Sequence, residues 1–145
     1  MYKHILVPTD GSELASKAVQ SAIAFAAEVG ARVTGYYAIE DMNMRHVGAH
    51  LTKDLLEEFD RRARIAAEQH VSEPAKAAKS AGVVYNWIVS KVAQPHEGIV
   101  DAARESGCDI IFMASHGHRG LTGLIVGSVT QKVLTHSSIP VLVFR

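Results

Sequence analysis

Three features of the sequence predict an α/β fold with an open parallel sheet and helices on both faces. Five short apolar runs recur along the chain, amphipathic stretches of helical period separate most of them, and glycine, proline or small polar residues mark the boundaries. Right-handed crossovers join parallel strands of this kind. The order is strand-helix-strand-helix-strand-helix-strand-loop-helix-strand, without linker, repeat or low-complexity tract, so residues 1–145 read as a single domain.

The first strand is KHILVP, Lys3–Pro8, stopped by the turn residues Thr9, Asp10 and Gly11. Ser12 opens a helix in which Leu14, Ala18, Ala22, Phe25, Ala26 and Val29 share a face, and Gly30 stands where a glycine closes a helix. ARVTGYYAI, Ala31–Ile39, is the second strand, rich in β-branched and aromatic residues. EDMNMRHVGAH has no period and reads as a loop, with Met42 and Met44 available to a ligand or partner. The next helix sets Leu51, Leu55, Leu56, Phe59, Ala63, Ala66 and Ala67 on one side. Mixed charges, Asp60–Arg64 among them, form a solvated face. Pro74 interrupts this helix or begins a second short one.

GVVYNWIVS, Gly82–Ser90, is the third strand, where Tyr85 and Trp87 alternate as packing residues. Pro95 suits the first turn of a helix running through Ile99, Ala102 and Ala103. CDIIFMAS, Cys108–Ser115, is apolar almost throughout, the pattern of a strand buried on both faces. A glycine-rich loop follows, then a helix from about Ser128 to His136 and a last strand, PVLVFR, Pro140–Arg145.

Composition narrows the function classes. Hydrophobic residues make up 48% and charged residues 21%, a globular balance. Lys+Arg and Asp+Glu are equal at 15 each, which argues against nucleic acid as a partner, since that needs a basic field. The first residues carry no signal-peptide pattern, and no apolar run approaches the roughly 18–20 residues of a membrane span. A single cysteine, Cys108, allows no internal disulfide and reads as a packing residue. The expectation is a cytoplasmic protein.

In open parallel sheets ligands bind beyond the carboxyl ends of the strands, where strand order reverses. Two segments therefore matter most: Pro8–Ser12 and Met113–Thr130. No Walker A loop is present, and Ser115-His116-Gly117-His118-Arg119-Gly120 has serine where a dinucleotide fingerprint needs its first glycine. The physics of anion binding remains: glycines admit backbone N–H groups close to a phosphate, and a helix N-terminus adds unpaired donors. Several charge-assisted bonds of about 1.5–3 kcal/mol each would suffice for micromolar affinity. Ser128 is a candidate N-cap there. The residues alone equally allow an ordinary helix cap beside a glycine loop.

His116 and His118 fall short of a zinc site, which needs three or four convergent ligands, and Cys108 lies at the other end of the fourth strand. Ser115, His116 and Asp10 lack the nucleophile elbow of a hydrolase. His118 and Arg119 are candidate outer phosphate contacts. His4, His46, His50, His70, His96 and His136 are scattered singly and read as surface or capping residues.

ILVPTDGSE near the start, MASHGHRGLTGLIVGSVTQKVL late and SSIPVLVFR at the end resemble the universal stress protein family in its ATP-binding branch, over essentially the whole chain. That family's ATP pattern is G-x2-G-x9-G-[ST]. Gly117, Gly127 and Ser128 match its second half, and Ala114 replaces its first glycine. The resemblance implies a Rossmann-like fold of the adenine nucleotide alpha hydrolase type, strand order 3-2-1-4-5. It implies that Pro8, Thr9, Asp10 and Ala38 flank adenine and ribose, with Asp10 accepting from the ribose. Met113, Ala114 and Gly117 would floor the nucleotide, and Gly127, Ser128, Val129 and Thr130 would hold the phosphates. Magnesium or manganese would ride on the phosphates, with no metal held by the protein alone.

The last strand, with Val141 and Val143 on one face, would leave an apolar edge, which pairing protects. In the resembled family that edge pairs antiparallel with a two-fold mate, so a homodimer is expected. The functional expectation is a nucleotide-responsive regulatory module binding ATP, AMP or another adenine nucleotide and signalling to a protein partner. No catalytic residue is identified, because no second carboxylate or arginine finger accompanies Asp10 for fast phosphoryl transfer. The alternatives are a nucleotide-independent interaction protein of the same fold and a slow ATPase.

Overall fold

The computed structural model describes residues 1–41, 52–117 and 126–145. Its elements are β1 (His4–Pro8), α1 (Glu13–Val29), β2 (Arg32–Glu40), α2 (Lys53–Ser72), α3 (Ala75–Ser80), β3 (Tyr85–Val92), α4 (Pro95–Glu105), β4 (Ile110–Ala114), α5 (Ser128–His136) and β5 (Val141–Phe144). The strands form one parallel sheet in the order β3-β2-β1-β4-β5, as expected. Strand ends differ from the sequence expectation by up to three residues, most at β3, where Gly82 and Val83 belong to the preceding turn.

Alternation along the strands divides the core into two layers. Ile5, Val7, Ile110, Phe112 and Ala114 pack on the side of α1, whose Ala15, Ala18, Ala22 and Ala26 let the helix lie close to the sheet. Leu6, Tyr36, Ile111 and Met113 pack on the other side, against Ile99, Ala102 and Ala103 of α4 and Val133 of α5. The central strands β1 and β4 are buried on both faces, as their continuous apolar character requires. Ser12 is the N-cap of α1, its side chain accepting from the Ala15 N–H at 3.2 Å, and Gly30 closes the helix at φ +68°.

Three expectations need correction. The apolar side of α2 is not a buried face: Leu55 and Phe59 are 41% and 55% exposed, Ala66 is exposed, and only Ala67 and Val71 are fully buried. Tyr85 Oη donates to the Val71 carbonyl at 2.6 Å and Trp87 Nε1 to Glu68 at 2.9 Å. These anchors seat the second half of the helix on β2 and β3, and the first half turns its apolar residues outward. Periodicity identified residues sharing a face but not whether anything lies beneath it. Leu51, Met42 and Met44 lie outside the described residues. The second correction concerns His4 and His96, which are buried at 6% and 8% exposure, whereas His70 and His136 are exposed. His4 belongs to a strand covered on both faces, where its Nε2 shares a 2.7 Å hydrogen bond with Thr34 Oγ1. His46 and His50 lie outside the described residues. The third is the start of α5, described with the site.

Candidate functional site

From the neighbouring strands β1 and β4 the chain leaves in opposite directions, to β2 and to β5, which opens a crevice beyond their carboxyl ends. Local hydrogen bonds build its first wall. The Thr9 N–H donates to the Tyr36 carbonyl at 2.8 Å, the Gly11 N–H to Thr9 Oγ1 at 3.2 Å and the Ser12 N–H to Asp10 Oδ1 at 3.0 Å. This Asx-type turn aims the Asp10 carboxylate across the crevice. It lies so close to Gly117 that a Cβ there would run into Oδ2.

The second wall is the passage from β4 to α5. Gly127 has extended backbone, φ −60° and ψ 153°, and its carbonyl accepts from the Gln131 N–H at 2.9 Å. Gly127 is therefore the N-cap and Ser128 the first helical residue, one position later in the helix than the sequence reading placed it. The reason is proximity. The Gly127 N–H donates to the Ser115 carbonyl at 2.6 Å, and a Cβ on Gly127 would stand 3.2 Å from His116 Cα and 3.3 Å from that same carbonyl oxygen. With the Gly127 N–H so engaged, the donors at this helix end are those of Ser128, Val129 and Thr130, and among the described residues no side-chain cap is made there. Thr130 Oγ1 donates to the Ala114 carbonyl at 2.9 Å, tying the first turn of α5 to the end of β4. Ala114 is buried within β4, and no described residue other than glycine has a positive φ, so alanine is unstrained there.

Between these walls lies a cleft of about 570 Å³. All eleven residues proposed for nucleotide contact line it: Pro8, Thr9, Asp10, Ala38, Met113, Ala114, Gly117, Gly127, Ser128, Val129 and Thr130. His118 and Arg119 lie outside the described residues, as do Gly120 and Gly123. The cleft also includes residues that the sequence reading did not assign to the nucleotide, among them Tyr37, Glu40, His96, Ile99, His116 and Lys132. A signal for several existed: the rule that ligands gather at strand carboxyl ends applies equally to β2 and to the first turn of α4. His116 stays local, its Nδ1 3.1 Å from Ser115 Oγ.

The lining is polarised. Its carboxylates, Asp10 and Glu40, come from the strand ends, and Lys132 and His96 come from the helices of the opposite layer. Burial, reinforced by the Lys132 charge, holds the His96 pKa below its ordinary value. Among the described residues no group of three or more His, Cys, Asp and Glu side chains is placed to hold a metal. Cys108 is buried at the far end of β4, and burial pushes its thiol up to about 12, leaving it protonated and inert. No helix of the described residues is long and apolar enough to cross a membrane.

The model of the universal stress protein family matches residues 1–145. Universal stress protein MJ0577 of Methanocaldococcus jannaschii is 32% identical over 156 residues, which span 100% of this chain and 96% of that protein. A universal stress protein of Thermus aquaticus is 32% identical over 145 residues, spanning 100% of both. Among solved structures, that of MJ0577 superposes with a TM-score of 0.83 at 34% identity, covering 99% of this chain and 95% of the other. UspA from Lactobacillus plantarum gives 0.83 at 27% identity, covering 99% and 98%. A universal stress protein solved in complex with cAMP gives 0.70 at 27%, covering 99% and 97%. With its whole length matched and its five-stranded topology shared with these structures, the chain belongs to the universal stress protein family.

Proposed function

We propose that this protein is an ATP-binding universal stress protein, a dimeric regulatory module of the cytoplasmic stress response that passes its nucleotide state to a protein partner. The observation that carries the proposal is convergence: eleven residues from three separated parts of the chain line one cleft at the switch point of the sheet. Adenine and ribose take the end near Thr9, Asp10 and Ala38, with Asp10 as the ribose acceptor. Met113, Ala114 and Gly117 form the floor. The phosphates take the uncapped first turn of α5, where the N–H groups of Ser128, Val129 and Thr130 and the positive end of the helix dipole favour an anion. Gly127 contributes its missing side chain, which lets the helix start abut Ser115. Magnesium or manganese enters only on the phosphates. A relative in complex with cAMP supports an adenine nucleotide as the ligand class.

The test is to extract the purified protein with acid, identify any released nucleotide, and then titrate with ATP, AMP, cAMP and GTP, with and without magnesium. Adenine nucleotides should bind in the micromolar range, and Gly127→Val should weaken ATP at least tenfold. Absence of binding by the wild type, or undiminished ATP affinity in Gly127→Val, would overturn the proposal. Hydrolysis is slow or incidental on this reading; turnover well above ~1 per minute would make the protein an enzyme, typical catalysts running at about 10 per second.

The dimer reading is supported by β5, which ends the sheet of the described residues and whose Leu142 is 38% exposed. Val141 and Val143, half-buried along that strand, mark the pairing edge. Sedimentation at micromolar concentration should return twice the chain mass, and a monomer would count against it.

A further inference from the structure

His96 and Lys132 occupy the cleft without any part in the nucleotide contacts assigned above. His96 stands in the first turn of α4 and is 8% exposed; Lys132 stands one turn into α5 and is exposed. Both line the cleft. Behind them, the His136 ring lies 5.1 Å from that of His96, its Nδ1 anchored on the Lys132 carbonyl at 2.7 Å. Among the described residues, the charged groups that act on His96 are Glu97 from its own helix, and Lys132 and His136 from α5. Asp10 and Glu40 lie with the strand ends of the same cleft. The helix layer thus presents Lys132 beside the Glu97 carboxylate, and a proton on His96 adds one positive charge to that patch.

We propose that His96 and Lys132, backed by His136, form a proton-dependent anion-reading wall of the nucleotide cleft, so that the phosphate chain is held more tightly as pH falls. The inference rests on the nucleotide reading of the cleft. In the free protein, burial and then the Lys132 charge oppose a proton on His96, and together they outweigh the Glu97 carboxylate that favours it. A phosphate brought into the cleft offsets the Lys132 charge and favours the proton. Linkage makes the effect reciprocal: a ligand that promotes protonation binds better where the proton is available. One linked proton strengthens binding by at most about tenfold per pH unit. The gain runs from the pKa of His96 in the complex down to its lower value in the free protein and then levels off. The wall also discriminates between ligands, because adenosine carries no phosphate to exert the effect.

Calorimetry of the full chain between pH 5.5 and 8, in two buffers of different ionisation enthalpy, measures both affinity and protons taken up. ATP binding near pH 6 should take up a proton fraction that adenosine binding does not. A terminal phosphate titrates near pH 6 itself, so the diagnostic is the difference between wild type and His96→Gln. The variant should lose most of the ATP-linked uptake and several-fold of the affinity gained between pH 7.5 and pH 5.5. Lys132→Gln, at an exposed position, should weaken ATP more than adenosine and move the proton uptake of the complex to higher pH. The His96 ring resonances should titrate at higher pH with ATP than without. Equal proton uptake in wild type and His96→Gln, or an unmoved His96 titration on adding ATP, would overturn the wall. Failure of both ATP and adenosine to bind at every pH would instead overturn the nucleotide reading, and the inference with it.

Discussion

Ala114 stands where the resembled nucleotide motif has its first glycine, and its backbone conformation is one that alanine adopts without strain. It is a strand residue with no positive φ, and its carbonyl is held by Thr130. Gly117 is different, because its missing side chain is space that the Asp10 carboxylate uses. Gly117→Ala should displace Asp10 from the cleft, and the lost charge-assisted bond to the ribose, about 1.5–3 kcal/mol, predicts ATP affinity lower by tenfold or more. The thermal midpoint should move little, since the colliding group is a side-chain end beside solvent. A double-mutant cycle settles the route: in the Asp10→Asn background the same substitution should add little further loss. An undiminished effect there would show that Gly117 acts without Asp10. These positions could be named in the sequence because spacing and residue type carry a backbone requirement. The role of Gly127 was less legible: its N–H is turned to Ser115, a contact made through the fold and invisible in any local pattern.

At the scale of elements, the sequence was most legible where local chemistry and tertiary packing agree. Ser12 and Gly30 bracket α1 as residue preferences predict, and the buried strands β1 and β4 announce themselves as unbroken apolar runs. Legibility failed where a local preference met a global contact. Serine is the better N-cap by residue type, yet α5 starts from Gly127, which packs so closely on Ser115 and His116 that a Cβ would make tight contacts of 3.2 and 3.3 Å with their backbone. The amphipathic period of α2 is real, yet Leu55 and Phe59 face outward since the sheet lies under the other half of the helix. His96 was missed for a related reason. The burial of a helix N-terminus depends on which neighbour it meets, here α5, and nothing in the local sequence around Pro95 names that neighbour.

For the whole molecule, the same buried histidines set how the fold answers acid. The chain has eight histidines and no net charge when they are neutral, so every one that protonates adds unopposed positive charge. Two resist. Burial, then the Arg32 charge, lowers the pKa of His4, and burial, then the Lys132 charge, lowers that of His96, both from 6.5. In the unfolded chain they protonate at the ordinary value, so unfolding takes up protons between 6.5 and the lower folded values. Their contribution to stability is therefore complete above pH 6.5 and is lost as pH falls through the folded pKa values. The slope is about 1.4 kcal/mol per pH unit for each proton taken up. The Glu58 carboxyl, held at about 2 by hydrogen bonds from Arg61 and Arg62, titrates well below that window and does not confuse it. Urea unfolding at half-unit steps from pH 8 to pH 5 should give a flat unfolding free energy down to about pH 6.5 and a decline beneath it. His4→Gln keeps a polar partner for Thr34 Oγ1 and should flatten the decline by up to one proton's worth, whatever its effect on stability at pH 8. If the variant's slope below pH 6.5 matches the wild type's, His4 is not one of the groups that the fold keeps neutral.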